Sequence, residues 1–158
     1  MKRARLLVLA SAVSMLGWGA ILPYQYAYAA NTREWGGLVA AAASSLFSVG
    51  ALVAAPIGGR LADRFNPARV VVVAQIIAAL ASAFLLLAGT PVLFLTGMFV
   101  FGAGITTAIP VQTLLVLRWV DAAERRQVFA LLFTGSAVGM AIGAFTAGYL
   151  VDLTALDG

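Results

Sequence analysis

In a sequence of 158 residues there is no cysteine and no histidine. A thiol nucleophile, a disulfide framework, an imidazole base and a thiolate or imidazole metal site are therefore excluded. The side chains left for chemistry are carboxylates, guanidiniums and amides. Their densest grouping is Gly58-Gly59-Arg60-Leu61-Ala62-Asp63-Arg64-Phe65-Asn66-Pro67-Ala68-Arg69, one carboxylate amid three guanidiniums. Such a cluster suits bidentate, charge-assisted hydrogen bonds with Asp63 as the acceptor. It also suits a plainer role, in which the charges solvate a short turn and fix topology. No catalytic carboxylate pair and no metal cluster is visible in the apolar stretches, so we expect no enzyme, no metal and no cofactor. Gln25, Gln75 and Gln112 are the most polar side chains within those stretches.

The elements that carry these residues follow from composition. Charged residues make up 10% of the chain and apolar ones 63%, whereas a soluble domain has about 25% charged. A globule of this composition could not cover itself with polar groups. About 20 apolar residues in a helix cross a bilayer core of about 30 Å, and the uncharged intervals fit that length. They hold 27 residues between Arg5 and Arg33, 25 between Glu34 and Arg60, 48 between Arg69 and Arg118, and 25 between Arg126 and Asp152. The longest is divided at Ala88-Gly89-Thr90-Pro91, where Pro91 suits the first turn of a new helix. Five spans are expected, at about 6–29, 36–58, 70–89, 92–117 and 127–150, with Pro23, Pro56 and Pro110 as kinks inside helices. The runs are continuously apolar rather than alternating, which disfavours a strand barrel.

Orientation follows from the cations. With the N-terminus in the cytoplasm, Lys2, Arg3, Arg5, Arg60, Arg64, Arg69, Arg118, Arg125 and Arg126 lie inside and only Arg33 outside, the bias of a cell-membrane protein with several passes. The net charge of +4 is thus a topology code and implies no nucleic acid. Trp35 and Tyr149 fall at the outer interface and Trp119 at the inner one, as anchors. The first segment also has marks of a secretory leader, with Ala27-Tyr28-Ala29 as a cleavage site. Its apolar run, Leu6 to Leu22, exceeds the usual length of about 7–15 residues, so we expect a retained helix.

The Gly58–Arg69 stretch resembles the signature loop of the major facilitator superfamily, in that family's place between spans two and three. Gly59, Leu61, Ala62, Asp63, Arg64, Phe65 and Arg69 fit the pattern. Asn66 stands for a usual glycine and still tolerates a left-handed turn. The resemblance implies an all-α membrane protein whose five helices are part of the N-terminal six-helix bundle of a transporter. It also implies a cytoplasmic latch built from Gly59, Arg60, Leu61, Asp63, Arg64 and Arg69, with Arg118 at the end of span four as partner of Asp63. Asp121–Gln127 resembles the family's charged connection before span five. Met98 stands where many members carry an arginine, so proton coupling through that residue is not implied. Gly135, Gly139, Gly143 and Gly148 resemble, in part, the glycine-rich motif of drug-exporting members, with Ala144 and Ala147 as departures. Without the family, glycines at spacing four form a groove for another helix.

On this reading the 158 residues form one incomplete transmembrane domain of a secondary carrier that exports small solutes by alternating access. The carrier would need further C-terminal helices or a partner bundle, with the bilayer and a small molecule as its other partners. The alternative is a remnant or helper subunit that docks another bundle through the glycine face of span five. Each glutamine suits interhelical hydrogen bonding or, for Gln25 and Gln112, substrate contact.

Overall fold

A computed structural model describes the backbone of residues 2–156 and the side chains of residues 4–150. Met1, Asp157 and Gly158, and the side chains of Lys2, Arg3 and Asp152 used in the topology argument, lie outside the described residues. The order of elements is α1 (Lys2–Ile21), α2 (Gln25–Ala27), a π-helical turn (Tyr28–Thr32), α3 (Gly37–Arg64), α4 (Pro67–Leu87), α5 (Pro91–Trp119) and α6 (Arg125–Leu156). Among the described residues there is no strand. Five segments are long and apolar enough to cross a membrane: Ala4–Thr32, Gly37–Arg64, Pro67–Leu87, Pro91–Trp119 and Arg125–Leu150.

The first expected span is not one helix. Proline has no amide hydrogen to donate and its ring clashes one turn back, so α1 stops at Ile21 and Pro23 lies in a turn rather than inside a helix. Leu22 N donates to the Trp18 carbonyl at 3.0 Å and Tyr24 N to Ile21 at 3.2 Å before α2 begins. Pro56 and Pro110 do lie inside α3 and α5. α3, α5 and α6 outrun their apolar stretches, whereas α4 ends at Leu87, two residues short of the expected end. α3 has 28 residues, about 42 Å at 1.5 Å per residue, and a core of about 30 Å leaves its charged end standing clear. Gly58 to Arg64 are therefore the last two turns of α3, and the expected loop shrinks to Phe65-Asn66. Asn66 is extended, at φ −65° and ψ 117°, rather than left-handed, and its side chain caps α4 by accepting from Ala68 N at 3.0 Å. Thr90 caps α5 through Leu93 N at 3.4 Å, with Pro91 at the first helical position as expected.

The chain forms two compact units, Met1–Tyr24 with Trp119–Gly158, and Gln25–Arg118. In the first, α1 packs along α6 with a constant register. Gly135 meets Val8, Gly139 meets the Ala12 backbone, and Gly143 meets the Leu16 backbone. Order is kept along both chains, so the two helices run parallel. Gly19 returns the contact against the Met140 backbone. Ser11 and Ser136 share a hydrogen bond of 2.7 Å, and the Tyr24 hydroxyl donates to the Ala144 carbonyl at 2.9 Å.

In the second unit the core is built on α5. Met98, Phe101, Val111 and Val116 are fully buried. Gly50 of α3 lies against the Phe99 carbonyl, and Gly102 of α5 against the Phe47 carbonyl. Gly97 meets Leu85, and Gly104 meets Ala74 and Ala78 of α4. Glycine at each crossing lets backbones approach to van der Waals contact, the main attraction between helices in lipid.

Candidate functional site

Within the second unit the helix directions decide which charges share an end. Gly50 faces Phe99 and Ala103, and Gly58 faces Thr107, so α3 and α5 run parallel, whereas the α4 contacts run in reverse order. The end of α3, the start of α4 and the end of α5 therefore emerge together. Arg60, Asp63, Arg64, Arg69 and Arg118 are all exposed at this end. Four guanidiniums and one carboxylate there make a strongly positive rim. Among the described residues, neither Asp63 nor Arg118 forms an ion pair or side-chain hydrogen bond.

Other members of the motif divide by contact. A Cβ on Gly59 would meet nothing within 4 Å, whereas one on Gly58 would lie 2.6 Å from Thr107 Cγ2. The close approach at this end thus belongs to Gly58, which the motif does not single out. The Leu61 carbonyl accepts from Phe65 N at 2.8 Å and ends α3. In the charged connection before α6, the Asp121 carbonyl accepts from Glu124 N and Arg125 N at 2.9 and 3.2 Å. Arg125 Nε donates to the Val120 carbonyl at 3.1 Å.

The chain matches the sequence pattern of the Major Facilitator Superfamily over residues 7–155. It belongs to that superfamily. A multidrug resistance protein, MdtH, of Photorhabdus laumondii is 28% identical over 138 residues, which cover 87% of this chain and 34% of that protein. The chain thus spans about a third of the length of this relative. No solved structure matches the chain. As a major facilitator segment with five membrane-length helices, the chain is a membrane protein with several passes.

The glycine face of α6 is filled by α1, through Gly135, Gly139 and Gly143, while Gly148 lies against the Tyr24 hydroxyl. The face through which a helper subunit would dock is thus occupied by α1 of the same chain. Ser11, Ala12 and Gly19 on α1 complete the seam; Val8 and Leu16, which meet Gly135 and Gly143, are not small, so no small-residue repeat in α1 marks it. Met98 is wholly buried and packs as core.

The amides differ. Gln25 is buried and its Nε2 donates to Ser44 Oγ at 3.0 Å, which joins α2 to α3, while its Oε1 is buried without a partner. Gln112 is buried on α5, and Gln75 Nε2 is buried without a partner. At the other end of this unit Arg33 stacks over Tyr28 and Trp35, 5.3 and 5.7 Å from the ring centroids, and its Nε donates to the Tyr28 hydroxyl at 2.7 Å. Phe94 backs both rings at 5.8 and 5.5 Å. Trp35 is therefore part of an aromatic cluster as well as a candidate anchor.

Proposed function

We propose that the chain is the N-terminal part of a secondary carrier that exports small apolar or amphipathic solutes by alternating access. In this reading it sits in the plasma membrane with its N-terminus in the cytoplasm. The observation that carries the reading is the family match over residues 7–155. The direction of transport is drawn from the relative described as a multidrug resistance protein, and the orientation from the bias of nine cations against one. Asp63 serves as the acceptor of a latch with Arg118, made and broken as the carrier rocks. The solute path needs helices beyond these five, from a continuation of the chain or from a partner bundle, to supply its opposite wall.

The test is dye extrusion from cells that make the chain together with the helices that complete the bundle. Asp63→Asn should slow extrusion about tenfold or more at unchanged membrane abundance, the scale expected for loss of a charged hydrogen-bond acceptor. Unchanged extrusion by Asp63→Asn rejects the latch, and no extrusion by the complete bundle for any apolar dye rejects the exporter.

A further inference from the structure

A cleft of about 420 Å³ opens in the second unit, lined by α3, α4, α5 and the turn at Phe65. Its floor is small and buried, with Gly58, Ala74 and Gly104, whereas its rims, Ile57, Leu61 and Val73 among them, are exposed. The lining has two polar side chains. The Thr107 hydroxyl already donates to the Ala103 carbonyl at 2.8 Å. The other is Arg69, exposed at the charged helix end; among the described residues it has no ion pair. From Arg69 to Ile77 the α4 wall runs about 12 Å along its axis. The volume lies in the range of ligand pockets and has room for about a dozen groups of about 30 Å³, the share of one water and close to that of a methylene.

We propose that this cleft holds an acyl chain of an anionic phospholipid whose phosphate is bound by Arg69, with Arg60 and Arg64 at the same end adding to its attraction. The two halves of the site match the two halves of such a molecule. A soluble anion would leave the apolar walls unused, and an apolar helix would leave the guanidinium unpaired. A phosphate in the interfacial layer pairs bidentately with Arg69, and basic pockets between membrane helices favour anionic headgroups. A second cleft, about 400 Å³ around Leu80, Phe84 and Val100, has no charged lining residue and so gives no such selectivity.

The test uses the full chain in phosphatidylcholine vesicles that carry a trace of phosphatidylglycerol with a photoreactive acyl chain. Adducts are expected on Ile57, Leu61, Val73 or Ile77, chased by excess phosphatidylglycerol but not by the same excess of phosphatidylcholine or by soluble glycerol phosphate. Arg69→Gln should lower the preference for the anionic lipid about fivefold, the worth of one guanidinium near an anionic surface. Val73→Trp adds bulk at an exposed rim and should abolish cleft adducts while helicity is unchanged. Equal chase by phosphatidylcholine, chase by glycerol phosphate, or an unchanged preference in Arg69→Gln overturns the proposal.

Discussion

Gly139→Ala adds one methyl group at the centre of the α1–α6 seam, and its cost can be worked from the contacts. An ideal Cβ at residue 139 falls 2.8 Å from the Ala12 carbonyl carbon and 3.0 Å from Ala12 Cα, where carbon atoms rest at about 3.5–4.0 Å. The nearest obstacle is the Ala12 carbonyl oxygen, which is backbone, so no rotamer relieves it and the helices must part by about 1 Å. A gap of that size forfeits a quarter to a half of each dispersion contact, and overpacking of this kind costs about 1–3 kcal/mol. Alanine's better helix propensity offsets up to about 1 kcal/mol. The expected net loss is about 1–2 kcal/mol, or about 5- to 30-fold in the folded ratio. Gly17→Ala on α1 is the control. Nothing lies within 4 Å of its Cβ position, so only the propensity gain remains. Because the chain has no cysteine, a Ser11→Cys, Ser136→Cys pair reports the seam without interference. Its parent oxygens are 2.7 Å apart, and a disulfide needs its sulfurs at about 2.05 Å. Oxidation in membranes should be slowed by Gly139→Ala and not by Gly17→Ala, and the denaturation midpoint in detergent should fall only for the first. Equal oxidation rates and equal midpoints for both variants would refute this packing argument.

Two further outcomes follow from the polar contacts. A double-mutant cycle of Ser11→Ala and Ser136→Ala should give a coupling of about 0.6 kcal/mol and below about 1.7, the range of interhelical hydrogen bonds in membranes, read from the same midpoints. Ser44→Ala should destabilise by about 1–3 kcal/mol, because it strands a buried Gln25 amide. Adding Gln25→Leu should restore most of that loss, since an apolar pair leaves no buried polar atom unsatisfied; a double variant less stable than Ser44→Ala would contradict this.

Much of the architecture follows from local rules. Uninterrupted apolar runs of membrane length place five helices, because a bilayer demands internally bonded backbone over about 30 Å. Pro91 and Ala88-Gly89-Thr90 divide α4 from α5 as the turn chemistry requires. Local rules misjudged the ends. Charges that close a hydrophobic count do not close a helix, so α3 carries Arg60 and Asp63 on its own final turns. Hydropathy does not register Pro23, whose missing donor ends α1.

The chain's residues settle how many segments are long and apolar enough to cross a membrane and which ends are basic, because those are properties of one segment against its solvent. Tertiary structure settles which faces meet. In lipid both the packed and the exposed face of a helix are apolar, so no alternation in the sequence marks the buried side. Gly59 and Gly58 are adjacent, yet only Gly58 meets another helix. Gly139 of α6 finds Ala12, far away along the chain, because glycines at spacing four on α6 let the α1 backbone approach closely. The same packing leaves Arg69 at the mouth of an apolar cleft, where an isolated cation in the sequence reads only as a marker of sidedness.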